Sequence, residues 1–158
     1  MSDNPLLQTD GLPAFDRIRP DAVEAWMREV LASVEQSFAA LESHPPTAWQ
    51  ELTRALAALG DRLQRSWGVV GHQLSVRNSE ALRAAHDAVQ PAVVALGLRI
   101  GQSEALYRAL GALDESRLNA EQQRLRSCLM RDAERSGVAL AGVAKERFNA
   151  VQTELAEC

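Results

Sequence analysis

Apolar residues recur along this chain at steps of three and four, in long runs separated by proline- or glycine-bearing breaks. The clearest run spans Arg62 to Leu113. Leu63, Trp67, Val70 and Leu74 close one stripe, and Arg77-Asn78-Ser79 marks a reversal. Leu82, Ala85, Val89, Val93, Leu96 and Ile100 then form a second stripe. The pattern predicts a long helical hairpin with further helices laid against it.

Residues 1–19 carry Pro5, Gly11 and Pro13 and show no helical period, which predicts an extended N-terminal arm. Leu6, Leu7, Leu12, Phe15 and Ile18 are expected to pack that arm on the bundle. Residues 20–158 read as a single all-helical domain. Pro20 suits a first helical turn, and a helix from about Asp21 to Glu42 aligns Val23, Trp26, Val30, Val34, Phe38 and Leu41. Pro45-Pro46 ends it. Thr47 with Gln50 predicts a capping box for a second helix. The stripe from Trp49 to Leu74 continues across Gly60, Gly68 and Gly71, so that helix is expected to run unbroken for about 28 residues, roughly 42 Å. Its glycines are expected to mark close helix approach or a bend.

Ser79 caps the return helix, and Pro91 inside it predicts a kink near Asp87–Gln90. Gly101-Gln102-Ser103 breaks the period, and Ser103 caps a short helix holding Leu106, Tyr107, Leu110 and Leu113. Asn119 with Gln122 opens another helix, with Leu125, Cys128 and Leu129 inward and an end before Gly137. The last helix starts near Gly142 and aligns Ala144, Phe148, Val151 and Leu155. It reaches Cys158 with no capping signal, from which more protein is expected to follow. The fold class is therefore all-α, an antiparallel bundle of about five to six helices built around the hairpin.

Strand-like alternation is missing, and Ala, Leu, Glu, Gln and Arg dominate. The net charge of −4 argues against a nucleic-acid partner, which needs a positive face. The Arg-rich stretch from Arg117 to Arg135 is interleaved with Glu121, Asp132 and Glu134, as on a solvated helix face. No apolar run approaches the roughly 20 residues of a membrane span, and the N-terminus lacks a signal-peptide pattern. Two cysteines make no disulfide framework, so a cytoplasmic protein is expected.

Candidate chemistry is sparse. His44, His72 and His86 fall in neither H-E-x-x-H nor E-x-x-H. His44 reads as an exposed loop residue and His72 as partly buried and hydrogen-bonded. His86 and Asp87 diverge by about 100° on a helix, so they do not form a catalytic pair by themselves. Cys128 reads as a buried, inert thiol and Cys158 as a mobile terminal one, prone only to adventitious oxidation. Gly68-x-x-Gly71 lacks the strand–turn–helix setting of a phosphate loop. Trp26, Trp49 and Trp67 read as core. The residues thus assign no catalytic, cofactor-binding or metal site.

A resemblance adds what the residues alone do not. Asn4-Pro5-Leu6-Leu7, Leu12-Pro13-x-Phe15-x-x-Ile18-x-Pro20 and Thr47-x-Trp49-x-x-Leu52 resemble the N-terminal region of the thimet-oligopeptidase family of zinc metallopeptidases, in its oligopeptidase A-like branch. The likeness is strongest at Trp67-Gly68-Val69-Val70-x-His72-x-x-Ser75-Val76-x-Asn78-Ser79, followed by Leu82-Arg83. Pro91, Gly101-Gln102, Leu106-Tyr107, Leu118-Asn119 and Ser136-Gly137-Val138-x-Leu140 also fit, so it covers nearly the whole chain. Ala141-Gly142 stands where relatives often open the last helix with proline.

The resemblance implies an all-helical wall over a substrate channel, in a parent family that hydrolyses short peptides with zinc. The zinc ligands lie further along such chains, and H-E-x-x-H is absent here. The expectation is therefore a scaffold segment, catalytically incomplete by itself. Its implied partner is the missing catalytic region, or another protein, against an exposed apolar face; oligopeptides bind only in the full-length context. The alternative is a free-standing helical module derived from that family and now used to bind a protein. An enzyme with a site of its own is the third possibility.

Overall fold

The computed structural model describes residues 3–157, with the side chain of Glu157 left out of account, so Cys158 lies outside the described residues. Among the described residues six α-helices follow one another: α1 Val23–Ser43, α2 Trp49–Val76, α3 Glu80–Gly101, α4 Glu104–Gly111, α5 Ala120–Arg135 and α6 Gly142–Glu157. Among the described residues there is no strand.

The residue pattern explains most of these boundaries. Ser79 and Ser103 accept from the backbone N–H groups of Leu82 and Leu106, and Asn119 with Gln122 forms the reciprocal capping box. Gly137, at φ 85°, supplies the left-handed residue just past α5. Thr47 does not cap α2. The extended residue before the helix is Ala48, at φ −93° and ψ 135°. This leaves the Thr47 hydroxyl one residue too early to reach the helix's free N–H groups.

α2 is continuous over its 28 residues, but its glycines do not serve close approach. A Cβ built on Gly60, Gly68 or Gly71 meets nothing within 4 Å. Close approach occurs instead at Gly101, where a Cβ would sit 2.9 Å from Ser136 Oγ and 3.0 Å from Ser136 Cβ. Gly101→Ala is therefore expected to destabilise the fold by about 1–3 kcal/mol through overpacking. Adding Ser136→Gly should restore part of that loss in a urea titration.

The bundle is organised around α1 more than around the α2–α3 hairpin, since α1 packs most extensively against both of them. Its buried stripe of Val23, Trp26, Met27, Val30, Val34, Phe38 and Leu41 meets Leu52, Leu63 and Val70 of α2, and Leu82, Val89 and Val93 of α3, in one cluster. The physical reason is that both long helices turn their apolar stripes inward, and a third helix can cover both at once. Arg62 on α2 donates to Ser33 Oγ on α1 at 2.8 Å. The two lie at similar removes from the loop joining their helices, as antiparallel neighbours do.

The N-terminal arm is less extended than its sequence suggests. Asn4 caps a 3-10 turn over Pro5–Leu7, and two more turns follow at Phe15–Arg17 and Pro20–Ala22. Leu6 and Ile18 are buried, and Leu7 and Phe15 pack on the core. Leu12, beside the Gly11 bend, is 88% exposed. Polar bonds fix the arm too. Asn4 Nδ2 donates to the Trp26 carbonyl at 2.9 Å, Ser66 Oγ to that of Leu6 at 2.8 Å, and Gln73 Nε2 to that of Phe15 at 3.2 Å.

Candidate functional site

The histidines are placed apart. His44 is exposed, its Nδ1 3.0 Å from Ser43 Oγ. His72 is exposed rather than partly buried, and its ring lies tilted against Phe15, centroids 5.1 Å apart, in place of the expected hydrogen bond. His72 follows Gly71 on the outer side of α2, facing Phe15 of the arm.

His86 Nδ1 lies 3.1 Å from Asp87 Oδ1. The two Cα–Cβ directions diverge, but at the helix surface both side chains can lean together. The imidazole also stacks on Trp67, centroids 4.5 Å apart and planes 18° from parallel. An oriented imidazole is half of an acid–base constellation. Among the described residues no hydroxyl or thiol is hydrogen-bonded to that ring. Cys128 is only partly buried, and Leu125 is 48% exposed rather than inward.

Among the described residues, Tyr107 and Asp114 titrate away from their ordinary values, both at the surface. Tyr107 donates its phenol O–H to Glu134 Oε1 at 2.7 Å, and that bond, with the carboxylate's charge, pushes the phenol upward. Asp114 accepts from both the hydroxyl and the backbone N–H of Ser116, which lowers its carboxyl. Tyr107 is the chain's only tyrosine, so tyrosinate absorbance reports it alone. Its midpoint is expected above the ordinary 10.0 and should fall in Glu134→Gln. The folded state favours the neutral phenol. The bond's contribution is thus complete below the ordinary tyrosine value and is lost as pH rises through the raised one.

A cleft of about 490 Å³ lies where α6 covers α3 near the end of α1. Glu42, Arg99, Gln102, Lys145, Asn149 and Thr153 give its polar lining, and Ala95, Leu98 and Ala150 its apolar part. Arg99 is tied to Glu35 and lies 4.0 Å from Glu42 Oε2. Glu42 Oε1 accepts from Ser103 Oγ at 2.6 Å. Gln102, only 6% exposed, donates to the Ser136 carbonyl at 2.8 Å and to Asn149 Oδ1 at 2.7 Å. The sequence singled out none of these as site residues. Only the break at Gly101-Gln102-Ser103 marked their neighbourhood.

α6 differs from the other long helices in its apolar stripe. Phe148 is half-buried, whereas Val143, Val151 and Leu155 are 79%, 43% and 64% exposed. Exposed apolar side chains gathered on one helix are unusual for a surface that faces only water. No helix of the described residues is long and apolar enough to cross a membrane.

Residues 27–145 match the family model described as the neurolysin/thimet oligopeptidase N-terminal domain. A probable cytosolic oligopeptidase A of Arabidopsis thaliana is 36% identical over 98% of this chain and 23% of its own length. An organellar oligopeptidase A of the same plant, described as chloroplastic/mitochondrial, is 35% identical over 98% of this chain and 20% of its own. Oligopeptidase A of Escherichia coli is 31% identical, again over 98% of this chain and 23% of its own length. The chain thus spans less than a quarter of the relatives it matches.

Proposed function

We propose, from the premise that this chain belongs to the neurolysin/thimet oligopeptidase family and matches its N-terminal domain, that it is a scaffold and channel-wall segment of a peptide-hydrolysing enzyme, without activity of its own. One observation carries the reading. Nearly the whole chain aligns with less than a quarter of the length of proteins named oligopeptidases, and that part corresponds to the family's N-terminal domain.

Zinc, which the resemblance implies for the complete enzyme, does not fit the residues present. Among the described residues no three His, Cys, Asp or Glu side chains lie together as a metal site. Zinc hydrolysis takes three protein ligands and a base beside the metal-bound water. The ligands are therefore assigned to a catalytic region outside the matched domain, and the exposed face of Val143, Val151 and Leu155 on α6 is the surface offered to it. Oligopeptide cleavage belongs to the two parts together. The two cysteines of the sequence make no disulfide framework, which supports a cytoplasmic location.

The test is turnover of a quenched short peptide by the purified chain, with and without added zinc, alongside intact-mass metal analysis. No turnover and no retained zinc are expected. Zinc-dependent hydrolysis that survives repurification would overturn the proposal.

A further inference from the structure

The cleft between α3 and α6 carries a polarity that follows from its hydrogen bonds. Gln102 Nε2 lies 2.8 Å from the backbone carbonyl of Ser136, which can only accept, so that atom is the amide nitrogen. The same nitrogen lies 2.7 Å from the Asn149 side chain, which must therefore present its oxygen to Gln102. Asn149 consequently turns its NH2 group away from Gln102, and both residues line the cleft. Because Gln102 is buried, it holds this orientation.

Lys145 stands one helical turn before Asn149 on α6 and lines the same cleft. No carboxylate of the described residues is paired with it. Arg99 on the opposite side is already committed to Glu35. The α6 side of the cleft thus offers an ammonium and a fixed amide NH2, while the acceptor that also lines the cleft, Glu42, accepts from Ser103 and lies 4.0 Å from Arg99. Ala95, Leu98 and Ala150 beside them supply an apolar floor. Two adjacent donors, one of them charged, suit a carboxylate with a small side chain behind it.

We propose that this cleft binds the C-terminal carboxylate of a short peptide, with Lys145 and Asn149 as its donors. The choice of a peptide over another carboxylate rests on the functional reading above.

Lys145 is the chain's only lysine, so its acetylation, read by peptide mass mapping, reports occupancy directly. The probe is N-acetyl-trialanine with a free carboxylate. Two partly exposed contacts support a Kd of about 1 mM, so about 10 mM probe should slow Lys145 acetylation roughly tenfold. The C-terminal amide of the same peptide, and acetate at equal concentration, should leave the rate nearly unchanged. Asn149→Asp is the matching variant, since its carboxylate still accepts from Gln102 but replaces the outward NH2 by a negative oxygen. Protection should vanish there while circular dichroism stays native. No protection of the unmodified chain, equal protection by the amide or by acetate, or protection that persists in Asn149→Asp would each overturn the proposal. Protection requires no hydrolysis, so this outcome is independent of the peptidase assay.

Discussion

Phe38→Ala is expected to lower the unfolding free energy by about 3–5 kcal/mol, enough to threaten folding in a domain whose whole margin is about 5–15 kcal/mol. Phe38 is fully buried near the C-terminal end of α1, in the cluster that α1 shares with α2 and α3. Its ring is covered by the Arg99 guanidinium, 5.1 Å from the centroid. Arg99 is itself held by Glu35 and approached by Glu42, so the cover cannot sink freely into the vacated space. A cavity that fails to collapse sits at the costly end of the large-to-small range. Urea denaturation should show a lower midpoint with an unchanged slope. A loss below about 1 kcal/mol would mean that the helices close over the gap. Packing, and not the Arg99 ion pairs, would then be the minor contribution there.

The second large effect is expected at Ser66, which is 2% exposed inside α2. Its hydroxyl lies 2.8 Å from the Leu6 carbonyl in the arm and 2.9 Å from the Arg62 carbonyl one turn back in its own helix. Ser66→Val removes the donor and forces an extra carbon group into a close-packed position. The two effects together should cost about 2–4 kcal/mol. Ser66→Ala removes only the donor and should cost about 1–3 kcal/mol, from the unpaired Leu6 carbonyl. The distinguishing measurement is limited proteolysis. In Ser66→Val the arm should be cleaved between Gln8 and Pro13 well before the helices, because Leu6 no longer anchors it. Cleavage that starts in the helices instead would show that the arm is held by Asn4 and Gln73 without help from Ser66.

Much of this architecture can be read from residue spacing, because a helix in a bundle must present a continuous apolar stripe. The stripes of α1, α2 and α3 and the caps at Ser79, Ser103 and Asn119 follow from that rule and from side chains with one suitable oxygen. Thr47 shows its limit. The residue type was right, but the backbone entered the helix one position later, which local sequence does not specify. The organising role of α1 was also hidden, since three amphipathic helices carry similar stripes and only packing decides which one lies between the others. α6 poses the opposite problem, for Val143, Val151 and Leu155 look like core residues whether or not anything covers them. The cleft was the least legible feature. It depends on Gln102 reaching Asn149 across 47 positions of sequence, and on the direction in which an amide is turned.

The arm's attachments set an order of events during synthesis. Leu6 depends on a hydroxyl 60 residues later, and Phe15 on an amide 58 residues later. A chain emerging from the ribosome usually orders from its N-terminus onward. Here Leu6 and Phe15 lack these two partners until most of α2 has been translated, whereas Asn4 can bond the Trp26 carbonyl as soon as α1 begins to form. The arm can thus be tethered to α1 through Asn4 first, and its remaining bonds close only when Ser66 and Gln73 have emerged. The arm is thus fastened in two stages, to α1 and then to α2, and both partners are made before α3 to α6.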